Sequence, residues 1–250
     1  MKKLLFSTLI LAMGILTLSS CKKDEEDVSR VRMEFTATVG MDDYAPFTDY
    51  TYYNGQKFTI NKVVFYIANI DLVKEDGSME RLSDIEYVDL SDPSVPGEMT
   101  LTFDNIPSGD YHSIRFGLGV PADLNAKTPA DFGVNHPLAI ESMYWDAWDS
   151  YIFSKTEGRI DTTGDGQTDL AYLYHTGIDD LYINLEATKD FELKMDEEKV
   201  MQFNLDVKKL FGTPSDYIDI KAKPMSHNPA DLDIAREIMM NYVTALSFNF

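Results

Sequence analysis

Between Phe58 and Val73 the chain reads FTINKVVFYIANIDLV, the strongest strand signal in its 250 residues. β-branched and aromatic side chains dominate it, as they do on a pleated, buried surface. Glu75-Asp76-Gly77-Ser78 then supplies a hairpin turn. Shorter strand patterns lie on both sides. Arg32–Val39 alternates, Met41–Tyr53 is a turn-rich and tyrosine-rich loop, and Ile85–Leu90 and Met99–Phe103 are separated by Pro93, Pro96 and Gly97. Ile106-Pro107-Ser108-Gly109 turns the chain into a strand over Tyr111–Val120. Further strands are expected at Tyr151–Arg159, Leu170–Tyr174, Asp180–Ala187, Asp190–Lys194 and Val200–Val207. Short strands at this spacing, with Gly and Pro turns, imply an all-β, antiparallel β-sandwich.

Two segments break the pattern. Pro121, Pro129, Gly133 and Pro137 prevent any long element over 121–149, so that stretch is an irregular insertion, and long insertions of this kind tend to be functional. Near residue 229 a helix begins, with Asn228 as cap and Pro229 in the first turn. Its predicted buried face is Leu232, Ala235, Ile238, Met239 and Val243. Residues 31–250 thus form one sandwich domain with a terminal helix.

The N-terminus carries an address. Lys2 and Lys3 precede the apolar run Leu4–Leu16, and Leu18-Ser19-Ser20-Cys21 resembles a bacterial lipobox. Residues 1–20 read as a lipoprotein signal peptide, with lipid (palmitate among the acyl chains) on Cys21. More than one acyl chain suffices for stable anchoring to a membrane. Cys21 is the only cysteine, so no intramolecular disulfide forms and no thiolate remains for catalysis. The acidic linker 21–30 opens with Lys22-Lys23-Asp24-Glu25-Glu26-Asp27, which resembles the surface-export signal of Bacteroidetes lipoproteins. The expected location is the outer membrane or cell surface. Net charge is −20, and about −22 once the leader is removed. Such a surface repels phosphate backbones, which excludes nucleic acid as a partner, and it suits cations.

Chemistry-bearing side chains concentrate in MYWDAWDSYIFSKTEG, Met143–Gly158, which holds both tryptophans, Trp145 and Trp148. His136 precedes it and His175 follows. By themselves these residues are equally a turn cap, a strand histidine and sandwich core. His112 and His227 read as surface or capping residues. The loop DTTGDGQTD, Asp161–Asp169, has oxygen donors at positions one, three, five and nine and glycine at six, the first part of an EF-hand-type calcium loop. Asp161, Asp165 and Asp169 would be the side-chain ligands. Position twelve is Tyr172 rather than Glu, and an ion-free acidic turn is the plainer alternative. Asp146, Asp149 and Glu157 lie near aromatics, as glycosidase carboxylates do, but the chain is rich in acids and no Gly-x-Ser-x-Gly, P-loop or His-Glu-x-x-His is present. The expectation is a non-enzymatic protein.

Several pieces together resemble the MbnP-like domain family: FYIANI at Phe65–Ile70, IPSGDYHSIRFGLGV at Ile106–Val120, His136-Pro137-Leu138, MYWDAWDSYIF at Met143–Phe153, Glu157-Gly158, and His175-Thr176-Gly177. The resemblance implies an extracytoplasmic, copper-binding, methanobactin-operon-associated β-sandwich. It also implies a di-haem peroxidase-like partner able to oxidise a tryptophan to kynurenine, here Trp145 or Trp148. His136 and His175 are then the candidate imidazole ligands of copper, with Met143 as a soft donor. Asp149-Ser150 departs from the family's small residue and glycine, and the Trp-x-His spacing is missing. A reading from a different class is a surface scaffold for glycans or partner proteins, with the insertion's aromatics as platform.

Overall fold

The computed structural model describes residues 27–226 and 231–250. The expected signal peptide, Cys21, most of the expected acidic linker, His227 and the expected cap at Asn228 lie outside them. The fold is the expected all-β sandwich. β1 (Val28–Val39) begins inside the stretch read as linker, and it alternates strictly, burying Val31, Met33, Phe35, Ala37 and Val39. The long strand is β2 (Lys57–Val73), which spans about 55 Å at the usual strand rise. It is long enough to serve two neighbours on each edge. β3 (Met79–Asp89) and the short strand Asp49–Thr51 pair with it, as do β5 (Gly109–Leu118) and β6 (Ser154–Ile160). Asn69, at φ 51°, takes up the bulge where the register slips; asparagine tolerates this left-handed region better than most residues.

β7 (Leu170–Thr176) flanks β6, and β8 (Ile183–Leu193) flanks β5, completing the larger sheet. The facing sheet is built on β1, with β4 (Glu98–Pro107) on one side and β9 (Glu198–Asp206) on the other, followed by β10 (Leu246–Asn249). Most pairs are antiparallel, but β1 and β9 run parallel with Phe35 opposite Phe203, and Met225–Ser226 runs parallel to β7. Aromatic rings bind the two sheets. Phe35 stacks on Phe203 at 5.0 Å and meets Phe65 edge-on at 6.2 Å, while Phe116 meets Phe203 at 5.7 Å.

Two expectations are corrected. Asp180–Ala187 and Asp190–Lys194 are not separate strands: after a 3-10 turn at Asp179–Leu181, β8 runs unbroken through a bulge between Thr188 and Phe191. The polar residues between them sit on that bulge rather than in a turn. The terminal helix, Leu232–Ala245, packs its Ile238, Met239 and Tyr242 inward, whereas Val243 is 44% exposed. Tyr242 lies 5.6 Å from Phe65, its ring in the core. Ile238→Ala is therefore expected to cost about 2–5 kcal/mol and Val243→Ala less than about 0.5, as urea unfolding would show.

The insertion holds one helical turn (Ala122–Asn125) and several 3-10 turns, and it covers the outer face of β2. Tyr66 of β2 donates its hydroxyl to Pro137 O at 3.0 Å, and Tyr151 donates to Leu138 O at 2.9 Å. Asn125 closes the insertion on itself, donating to Ser150 and Asp179 and accepting from the Tyr151 N–H. That cover buries Tyr66, while Phe58 at the other end of β2 packs against Tyr50, Tyr52 and Phe211.

Candidate functional site

β6 alternates buried Ser154 and Thr156 with outward Lys155 and Glu157, and its hairpin register with β7 sets Lys155 opposite His175. Glu157 and His175 are then diagonal neighbours on one face, and Glu157 Oε1 lies 2.7 Å from His175 Nε2. The histidine is only 8% exposed. Its backbone is pinned as well, because Ser226 Oγ accepts from the His175 N–H at 3.0 Å and donates to its carbonyl at 2.7 Å. A short hairpin, Tyr144–Trp145 with Ser150–Tyr151, delivers the tryptophans. The Trp145 ring lies 5.8 Å from the imidazole, and Trp148 lies 5.0 Å from Trp145. With Gly177, Ser226, Asp231, Leu232 and Ala235 they wall a cavity of about 10 Å³, the size of one water or ion.

Two glycines make this closeness possible. A Cβ on Gly158 would stand 1.9 Å from Thr59 O and 2.4 Å from the Tyr172 hydroxyl, and one on Gly177 would stand 2.3 Å from Tyr151 O. Gly158 and Gly177 are thus positions where backbone passes against backbone, and Gly177 also lines the cavity.

Charge on this face is balanced. Lys62 pairs with Asp89 at 3.1 Å, and the Lys155 ammonium donates to Ser142 O, tying the sheet to the insertion. Burial lowers the Lys155 pKa, an effect partly offset by Glu157. The Glu157 carboxyl is held below the usual carboxylate range. The hydrogen bond from His175 does most of this, against the opposing effect of burial and with help from Lys155 and Lys62. An ionised Glu157 accepts from Nε2–H, so in the neutral ring Nδ1 carries the lone pair. A depressed carboxyl pKa adds stability that is present above the unfolded value, about 4.3, and is lost as pH falls through the folded value. Urea midpoints taken from pH 5 downward should therefore fall more steeply for the natural protein than for Glu157→Gln.

The other candidates are placed elsewhere. His136 caps the 3-10 turn Pro137–Ala139, its Nδ1 accepting from the Leu138 N–H at 3.1 Å, and stacks on Phe132 at 4.3 Å. It is not among the walls of the His175 cavity. Met143 is buried in the hydrophobic core and is also absent from those walls. His112 is exposed and lies 2.6 Å from Asp190. Asp161 holds its own loop together: Oδ1 accepts from the Thr163 and Gly164 N–H groups and Oδ2 from Gly166. Burial raises its pKa, but these three backbone donors outweigh that and leave it lowered. Asp169 accepts from Thr162, and Asp165 from the Gln167 N–H. Among the described residues no group of three or more His, Cys, Asp or Glu side chains is gathered closely enough to hold an ion. Glu157 is the site residue that sequence reasoning missed as a partner of His175; the hairpin register around Asp161–Asp169 was the signal for it.

A sequence profile of the MbnP family matches residues 28–231. The chain belongs to the MbnP family. The matched span carries both tryptophans, Glu157 and His175. No curated protein sequence matches significantly. Among solved structures, MbnP from Methylosinus trichosporium superposes over 89% of this chain and 98% of its own, with a TM-score of 0.53 at 14% identity, a likeness of fold.

Proposed function

We propose that this member of the family binds copper outside the inner membrane and acts in acquisition, storage or handover, without catalysing a reaction. The observation that carries the reading is His175, buried beside a tryptophan pair and oriented by an ionised carboxylate over an ion-sized cavity. Copper favours imidazole, and a carboxylate behind the ligating histidine is the usual means of fixing its tautomer. His175 with Asp231 at the same wall is still a sparse donor set. Oxidation of Trp145 or Trp148 to kynurenine by a di-haem peroxidase-like partner would add an aromatic amine and a ketone at the same wall. A lipid on Cys21 would hold the protein to the outer membrane or cell surface. Calcium is no part of this proposal, since Asp161 is committed to the N–H groups of its own loop.

The test is retention. Mature protein, produced with and without the partner and loaded with Cu(I) or Cu(II), should keep a stoichiometric amount of copper after desalting, and His175→Ala should lose it. No retention, or equal retention by His175→Ala, sinks the reading. Intact mass decides the tryptophan question, because kynurenine exchanges one carbon for one oxygen. A glycan platform would need exposed, coplanar rings; here the pair is tilted by 40° and shares its cavity with Leu232 and Ala235 of the helix.

A further inference from the structure

A cavity of about 690 Å³ lies away from the His175 site. It opens beyond Gly40, where β1 ends, and the described chain enters β1 at Val28. The strand's length, about 40 Å, therefore separates this cleft from the chain's entry. Its walls come from three parts of the chain: Tyr52 and Tyr53 before β2, Lys208 and Pro214 after β9, and Asn241 and Thr244 on the terminal helix. The volume is typical of small-molecule sites.

The walls are fixed in place. The Tyr53 hydroxyl donates to the carbonyls of Lys208 at 3.0 Å and Gly212 at 2.7 Å, and its ring stacks on Tyr217 at 5.5 Å. Burial pushes its pKa up to about 12, so it stays neutral. Tyr52 donates to Ile218 O at 2.6 Å, and Asn241 donates to Leu210 O at 3.0 Å. The Lys208 ammonium is held above the Tyr53 ring at 4.9 Å and bonds Thr51 O at 2.7 Å. Lys209 adds a second ammonium. The one carboxylate at the cleft, Asp206, accepts from the N–H groups of Gly40 and Lys208 and lies 3.7 Å from Lys209. Two cations face one anion here, in a chain whose net charge is −20. The helix also exposes Met240 and Val243, next in sequence to the lining residues Asn241 and Thr244.

We propose that this cleft binds a small amphipathic organic anion. The acid group would lie against Lys208 and Lys209, and the apolar body against Pro214 and the helix. Charge complementarity selects this occupant: in a chain of net charge −20, two lysines against one carboxylate line a preformed hollow of the right size.

Anilinonaphthalene sulfonate, an anionic aromatic fluorophore, is the probe. Titrated into the mature chain, its fluorescence should saturate at one site and weaken as salt is raised. The Lys208→Gln/Lys209→Gln double variant should bind it roughly tenfold or more weakly, the loss expected for charge-assisted contacts. Neutral phenylnaphthylamine should bind both proteins alike. Lys209→Gln alone, altering an exposed side chain that pairs with Asp206, keeps the test valid should the double variant unfold, and it too should weaken binding. Fluorescence that does not saturate, or equal affinity in folded variants and the natural protein, overturns the proposal. Copper binding plays no part in either outcome.

Discussion

Gly158→Ala is expected to destabilise the protein by about 3 kcal/mol, the upper end of the usual overpacking cost. The new methyl would meet a backbone carbonyl, Thr59 O, at 1.9 Å, and the buried Tyr172 hydroxyl at 2.4 Å. Tyr172 donates to that same carbonyl at 2.8 Å, so moving aside breaks a buried hydrogen bond. Neither neighbour is the loose end of a flexible side chain. In a chain of this size the melting temperature should fall by about 6–12 °C. Gly164→Ala is the contrast: the position has φ +80° but nothing within 4 Å, so only the backbone strain of about 1–2 kcal/mol applies. Thermal unfolding of the two variants separates close approach from conformational strain, and equal shifts would show that β2 and β6 do not pass as described.

Glu157→Gln should lower copper affinity by about 10–100-fold, the usual effect of removing a carboxylate behind a ligating histidine. The amide keeps the length of the side chain and still accepts from Nε2–H, so the hydrogen bond survives and the charge does not. Lys155 and Lys62 then face each other with less compensation, which further disfavours a cation nearby. Competition against a copper chelator of known affinity measures the change. Unchanged affinity together with a correct fold would remove Glu157 from the account, while loss of folding would be visible by circular dichroism.

Much of this architecture was written locally in the chain. Phe58–Val73 announced β2 because its β-branched and aromatic residues have no other comfortable setting, and the prolines of 121–149 announced an irregular cover. Other features were illegible for physical reasons. Parallel and antiparallel strands share one side-chain period, so nothing in Arg32–Val39 or Val200–Val207 revealed that β1 and β9 run the same way. The expected helix face held Val243, but the helix turns Tyr242 into the core instead, where its ring packs at 5.6 Å from Phe65. His136 and His175 looked equivalent in sequence, yet one caps a turn and the other faces a carboxylate across a hairpin. That contact spans two strands, and only the β6–β7 register brings it about.

The central claim is a location: copper at His175 beside the tryptophan pair. Crystals of the copper-loaded mature protein, measured on the two sides of the copper absorption edge, would give an anomalous difference map that tests it directly. The account predicts one peak within bonding distance of His175 Nδ1, against the wall formed by Trp145 and Trp148. A peak at His136, at the Asp161–Asp169 loop or at exposed His112, with none at His175, would contradict it.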